Sequence, residues 1–347
     1  MSFDCVVIGA GILGVTIARQ LALQFPNRSA LLLDQSLAGG GASRFSAGLH
    51  IPYGYNSTVK RLSAMSAEVY AKSRQKSAHF PIYPLLMTGI VKAEKYPEIS
   101  SRFYQLGLGV LSNNLVPKSI GTVKLEDADL LFPISDAHYA NVGGIIHHYL
   151  EEIRLSQTTK LWEGVAVSEI SCQKNTVAIS LADGRRIESQ KVILAPGPWV
   201  KKNSLNGILD HLPIRTKKIV ALHIDRKPEP NDPGLFLFDL DAFLLPLHHL
   251  GYWLFSFTCQ EWEVLPDPTT LAIRPEDRDL ALSILWKYFP DLAPHANSGR
   301  VFCDAYSNDR VPIIAKLPIN PNIVFIGATN GSGYRLAPGI AIEGILL

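Results

Sequence analysis

Phe3-Asp4-Cys5-Val6-Val7-Ile8 is a largely apolar run without alternation, the pattern of a strand buried on both faces of a parallel sheet. From Ile12 onward the period lengthens: Ile12, Val15, Ile17, Ala18, Leu21 and Ala22 fall largely on one face of a helix, which Pro26-Asn27 ends. A second apolar run, Ala30-Leu31-Leu32-Leu33, stops at Asp34. Strand, helix and strand within about thirty residues predict a βαβ unit.

Further along, helical spacing recurs over residues 59–75, 143–154 and 275–288, and strand-like runs over 165–170, 177–181, 186–189 and 191–195. Residues 206–317 alternate short strand-like runs with Pro-rich breaks. A last strand, 322–326, precedes a glycine-rich turn and a short apolar tail. Nucleotide-binding-type segments thus stand at the start, middle and end of the chain. The expected fold is α/β: a Rossmann-like domain from residues 1–52, 140–205 and 318–347, with an antiparallel-sheet substrate domain from 53–139 and 206–317.

Gly9-Ala10-Gly11-Ile12-Leu13-Gly14 fits G-x-G-x-x-G. The first glycine makes a tight turn, the second lets a pyrophosphate approach the backbone, and the third lets helix and strand pack closely. The phosphates would rest on the positive end of the helix starting near Ile12. Asp34, with Gln35 after it, lies where a carboxylate accepts hydrogen bonds from ribose hydroxyls. The absence of an arginine beside Asp34 argues against a 2′-phosphate. The motif alone does not separate NAD from FAD.

Composition narrows the picture. The 347 residues are 47% hydrophobic and 18% charged, the balance of a well-buried globular chain. A formal charge of +2, with no basic run, gives no reason to expect nucleic acid. No run of apolar residues is long enough to span a membrane, and the N-terminus has neither basic n-region nor cleavage site. Cys5, Cys172, Cys259 and Cys303 lack C-x-x-C spacing, so reduced thiols in a cytoplasmic enzyme are expected. His248 and His249 would point to opposite faces of a strand, and no metal site is expected.

The second glycine-rich loop, Gly40-Gly41-Ala42-Ser43-Arg44-Phe45-Ser46-Ala47-Gly48-Leu49, closely resembles the loop after the second strand in the D-amino-acid oxidase superfamily, especially its glycine oxidase and sarcosine oxidase branch. Val165-Ala166-Val167 looks like that family's adenine-side strand. Ala195-Pro196-Gly197-Pro198-Trp199 looks like its turn near the ribityl chain, and Gly331-Ser332-Gly333-Tyr334-Arg335-Leu336-Ala337-Pro338 like its C-terminal flavin motif. The resemblance implies noncovalent FAD, held by the fingerprint residues and by Gly40 to Ser43, Ala47 to Leu49, Val167, Ala195, Gly197, Trp199, Gly331 and Gly333 to Leu336. A helix beginning at Pro338 would point its positive end at the flavin.

The match is poorer where substrate should bind. The family's carboxylate-binding arginine falls near Asp304, its tyrosine near Phe243, and a second arginine of glycine oxidases near Gly331. An acidic residue there favours an amine or a neutral substrate, unless Arg310 or Arg335 supplies the charge from a shifted position. His50 follows the flavin loop and is expected over the ring, with Tyr53 and Tyr55 near the same pocket. Cys303 lies one residue out of register with the position of covalent flavin attachment and is expected as a buried thiol. His50, Asp304 and Arg335 are the catalytic candidates. The expected activity is oxidation of a C–N bond in a small amine or amino-acid-like molecule, with oxygen or another molecule as electron acceptor. The alternatives are a 2-hydroxy-acid dehydrogenase using His50 as base, and a non-catalytic flavin-binding partner protein.

Overall fold

The opening apolar run becomes strand β1 (Ser2–Ile8), with Val6 and Val7 fully buried on opposite faces. Helix α1 (Ile12–Gln24) and strand β2 (Ala30–Leu33) complete the βαβ unit. The chain continues through α2 (Ser57–Lys76), β3 (Ile82–Pro84), β4 (Met87–Lys92), α3 (Tyr96–Ser101), β5 (Asp129–Ile134), β6 (His138–Ala140) and α4 (Val142–Leu155). Next come β7 (Thr159–Trp162), β8 (Val167–Cys172), β9 (Val177–Leu181), β10 (Arg186–Leu194), β11 (Ile214–Ile224), β12 (Gly234–Leu237), β13 (Ala242–Leu247) and β14 (Tyr252–Phe257). The chain ends with α5 (Pro275–Tyr288), β15 (Ala296–Ser307), β16 (Ile313–Leu317), β17 (Asn320–Gly327) and α6 (Gly333–Gly344). This computed structural model describes residues 1–106, 115–173, 176–201 and 207–347. The expected boundary between 205 and 206 lies outside the described residues.

The first sheet runs β16-β17-β10-β1-β2-β7, with the β8–β9 hairpin attached to the first half of β10. The strands from β17 to β7 are parallel, and their register pairs Ile8 with both Leu33 and Leu194, and Leu194 with Phe325. Strands β1, β2, β7 and β10 therefore end level, β17 runs two residues further, and the loops that follow them emerge side by side. That is where an open parallel sheet binds its ligand. Residues 186–189 and 191–195, expected as separate strands, join in β10 because each half has its own partner, β9 and then β17. One face of the sheet packs on α1, α4 and α6 through Val15, Leu32, Ile146 and Ile340. The other packs beneath the hairpin through Ile170, Ile179 and Phe325.

The second sheet runs β15-β11-β14-β13-β12-β4-β5. One face buries Val220, Leu222 and Phe255 against Ala281 and Leu285 of α5. The other carries Ala221, Leu245 and Leu254 and turns toward the first sheet's loops.

Three expectations need correction. Strand β16, expected in the second unit, pairs with β17 in the first sheet, because the two form an antiparallel hairpin. Helix α2, also expected there, packs on α6: the N–H of Gly339 donates to Ser66 Oγ at 2.9 Å, and a Cβ on Gly339 would lie 2.4 Å from the Leu62 carbonyl. Third, α6 begins at Gly333, not at Pro338, which sits inside it. Pro338 has no N–H for the Tyr334 carbonyl, and the Tyr70 hydroxyl donates to that oxygen instead, at 2.7 Å. The helix starts five residues early because a side chain from α2 occupies the vacant acceptor.

Candidate functional site

The loops at the level strand ends are tied to one another. The N–H of Gly9 donates to Leu33 O, that of Ala195 to Ile8 O and that of Gly39 to Ala10 O, each at 2.8 Å. Gly9 has φ +104°, and a Cβ there would lie 2.3 Å from Ala195 O. On Gly14 a Cβ would lie 1.7 Å from Gly9 O, so the helix sits directly on the loop. Gly11 differs: within 4 Å its absent Cβ would meet only Ser43 Oγ, at 3.2 Å. Asp34 Oδ2 accepts the Ala10 N–H at 2.6 Å and Oδ1 the Ser36 N–H at 2.8 Å. Ser43 Oγ accepts the Ile12 N–H at 2.9 Å. Asp34 and Ser43, expected to contact ligand, therefore also fasten the loop that would receive it.

A cavity of about 1060 Å³ runs between these loops and the second sheet. Gly9, Gly11, Ile12, Leu13, Asp34 and Gln35 line it, as do Gly41, Ala42, Ser43, Ala47, Gly48 and Leu49. Val167, Ala195, Gly197 and Trp199 join them, with Gly331, Gly333, Tyr334, Arg335 and Leu336. Gly14 and Gly40 are not among the lining residues: Gly14 faces the Gly9 carbonyl, and Gly40 faces Leu37 O.

Strand alternation builds the opposite wall. Arg300, Phe302, Asp304 and Tyr306 of β15 face the cavity, beside Arg215, Lys217, Ile219 and Ala221 of β11. Lys217 and Asp304 are register partners. Burial pushes the Asp304 carboxyl up to about 6, although the N–H groups of Ala305, at 2.8 Å, and of Gly331 donate to it. Arg335, in the first turn of α6, donates from Nη2 to Ser332 Oγ at 2.8 Å. Its buried Nε has no partner, and among the described residues no carboxylate pairs with it. Burial holds the guanidinium below its usual range. Phe243 and Gly331, at the other expected clamp positions, also line the cavity, as do Tyr53 and Tyr55. Cys303 points away from Phe302 and Asp304 into the core, where burial pushes its thiol up to about 12.

His50 departs from expectation. It does not line the cavity: Leu49 does, and the alternating backbone turns His50 inward. A β-bridge joins it to His138, with N–H to O distances of 2.8 and 3.0 Å, and the two rings stack with centroids 4.6 Å apart. His50 Nε2 shares a hydrogen bond with the Tyr104 hydroxyl at 3.1 Å, and His138 Nε2 shares one with Tyr334 OH at 2.9 Å. The pair supports Tyr334 from behind and does not meet the cavity. His138 escaped sequence reasoning because an isolated histidine on a three-residue strand carries no motif. Lys217 escaped because its significance depends on which strand lies beside β11.

Burial lowers both imidazoles, His138 to about 3. The unfolded chain, with histidine near 6.5, binds protons that the folded chain refuses. The contribution is whole above 6.5 and falls away as pH drops toward 3. Lowering the pH to about 5.5 should cost about 1 kcal/mol through His138 alone. Denaturant titrations at several pH values should show this slope, and His138→Asn should reduce it.

The family model of the DAO family, FAD dependent oxidoreductase, matches residues 4–343. The chain belongs to this family. It is an FAD-dependent oxidoreductase with FAD as its cofactor. Among curated proteins no sequence match is found. Solved structures share the fold at low identity. Glycine oxidase from Geobacillus kaustophilus has a TM-score of 0.76 and 15% identity, over 98% of this chain and 93% of its own. L-proline dehydrogenase from P. horikoshii gives 0.79 and 18%, over 99% and 92%. L-amino acid deaminase from Proteus vulgaris gives 0.77 and 15%, over 99% and 93%.

The residues present suit FAD. The first turn of α1 holds no acidic side chain to oppose a pyrophosphate, and the space beside Gly11 is open enough for a close approach. The cavity has the volume for a large ligand and continues past it to the second sheet. Among the described residues no helix is long and apolar enough to cross a membrane.

Proposed function

We propose that the protein oxidises the C–N bond of an amino-acid-like amine, with a hydride passing to FAD and an iminium as product. One observation carries the reading: Asp304 and Arg335, of opposite charge and neither in an ion pair among the described residues, both face the cavity. A zwitterion complements that arrangement. Its carboxylate would take the planar guanidinium of Arg335, the shifted source of charge that the sequence left open. Its ammonium would donate to Asp304, which accepts one proton as the hydride leaves the carbon. The substrate thus loses one proton and one hydride, and an iminium remains. Bound FAD supplies the two-electron acceptor. Phe238, Phe243 and Trp262 on the wall exclude water from the reacting carbon.

The fingerprint loop, residues 40–49, Val167, Ala195, Gly197, Trp199 and the turn from Gly331 to Leu336 are the proposed cofactor contacts. The flavin-binding unit is taken as the first sheet with α1, α2, α4 and α6, and the second sheet as the substrate-side unit. A 2-hydroxy acid would need a base such as His50, whose Nε2 is engaged by Tyr104 away from the cavity. Anaerobic mixing with amines, amino acids and hydroxy acids tests the proposal. Amino acids or amines should bleach the flavin band, and reduction by hydroxy acids alone would overturn it.

A further inference from the structure

On the substrate wall Arg102, Arg215 and Asp239 are matched by ion pairs, whereas among the described residues Asp241, Arg300, Asp304 and Arg335 are not. Arg215 pairs with Glu263 at 2.7 Å, Arg102 pairs with Glu98, and Asp239 pairs with Lys95 at 2.8 Å. Asp241 has no ion pair among the described residues and accepts from the Thr258 hydroxyl at 3.0 Å, which in turn lies against the Lys217 ammonium. Lys217 is the least exposed of the unmatched cations on this wall. It is 7% exposed, yet its ammonium has only Thr258 Oγ1 at 3.4 Å and the faces of Trp262 and Tyr306, at 5.1 and 5.5 Å from the ring centres. No carboxylate of the described residues lies within ion-pair distance of it. Arg310 also lines the cavity without an ion pair, resting on Tyr55 at 4.5 Å. Its φ of 61° is costly for a residue with a side chain, so the turn holds this arginine at the rim against a local preference.

A buried ammonium without a counter-ion is unfavourable, and one beside a second unpaired cation more so. Burial pulls Lys217 below its ordinary range; the Asp241 carboxylate and the Cys259 thiol oppose this, and the Arg310 charge adds a smaller pull in the same direction as burial. An anion between Lys217 and Arg310 would relieve all of this. Arg335 cannot be meant for the same group if it holds the substrate's α-carboxylate. The register also fixes the scale: Lys217 and Asp304 are cross-strand neighbours, with Cβ atoms about 5 Å apart, so the extra anion lies close to the amine end.

We infer that the substrate carries a second anionic group, a carboxylate or a phosphate-type group on a short side chain, seated between Lys217 and Arg310. The inference rests on the C–N oxidation proposed above and narrows it to acidic amino acids. Its test reads binding, not turnover. The FAD-loaded protein is titrated with unreactive dicarboxylates of increasing length, the matching monocarboxylates, and carboxylates ending in phosphonate, each followed by perturbation of the flavin spectrum. At one length the doubly anionic ligand should bind about ten- to a hundredfold more tightly than its monocarboxylate. The carboxylate and phosphonate arms tell which terminus the site takes. Lys217→Met should bring that ratio near unity, Lys217→Arg should restore much of it, and Arg310→Gln should reduce it. FAD content and unfolding midpoint report whether each variant is folded. A wild-type protein indifferent to the second charge would overturn the inference, as would a folded Lys217→Met variant that keeps the preference. Failure of the oxidation reading would show separately, in the anaerobic panel.

Discussion

Gly11→Ala is expected to fold normally and to lose FAD, whereas Gly14→Ala is expected to lose the fold. The two glycines stand in one motif but face different neighbours. At position 11 a methyl meets only the Ser43 hydroxyl, at 3.2 Å, which can rotate at the cost of its bond to the Ile12 N–H, about 1 kcal/mol. The methyl would occupy the space at the start of α1 that a pyrophosphate needs. At position 14 the methyl would lie 1.7 Å from the Gly9 carbonyl oxygen and 2.9 Å from its carbon. Nothing flexible can give way there. Helix and loop must separate, and the loop is pinned on its other side by Leu33 and Ala195. Overpacking of this kind costs about 3 kcal/mol. Purified Gly11→Ala should show an unfolding midpoint close to that of the flavin-free wild type and no flavin absorbance. Gly14→Ala should unfold far earlier with or without added FAD. A Gly11→Ala variant that copurifies with full flavin would remove this loop as the pyrophosphate site.

That contrast marks how far local sequence reaches. The fingerprint and the strands around it could be read directly, because Gly9, Gly11, Gly14 and Asp34 act within one βαβ unit. The wall opposite could not. Whether Lys217 matters depends on its pairing with Asp304, eighty-seven residues away in the chain, and no periodicity in β11 announces that neighbour. His50 failed for a related reason. Its place in the loop was right, but its direction was set by the bridge to His138. Pro338 looked like a helix start because the Tyr70 hydroxyl that lets α6 begin earlier comes from a distant helix. Asp304 was found by comparison with a family pattern that it breaks. Sequence comparison left Arg335 and Arg310 as alternative sources of the missing charge, and both line the cavity.

Asp304→Asn should separate activity from stability by moving them in opposite directions. If Asp304 accepts the substrate's proton, the amide removes both the charge that attracts the ammonium and the acceptor. kcat/KM should fall by about a hundredfold or more. In the wild type the carboxyl must be ionised to act. With its value raised to about 6, kcat/KM should decline below that pH and level off above it, and this limb should vanish in the variant. Stability has the reverse sign. The carboxyl ionises near 3.8 in the unfolded chain and near 6 in the folded one, so the folded state is increasingly penalised as pH rises from 3.8 to 6. Asparagine removes that penalty. At pH 8 the variant should be more stable by up to about 3 kcal/mol, less where water in the cavity screens the charge, and below pH 3.8 the difference should close. Thermal unfolding of the flavin-loaded proteins at both pH values gives one half of the comparison, and pH profiles of kcat/KM give the other. A group that merely braces β15 would lower stability when replaced and leave the limb near pH 6 in place. Only a buried carboxyl that is held at a cost and used in the reaction yields a slower enzyme that is harder to unfold.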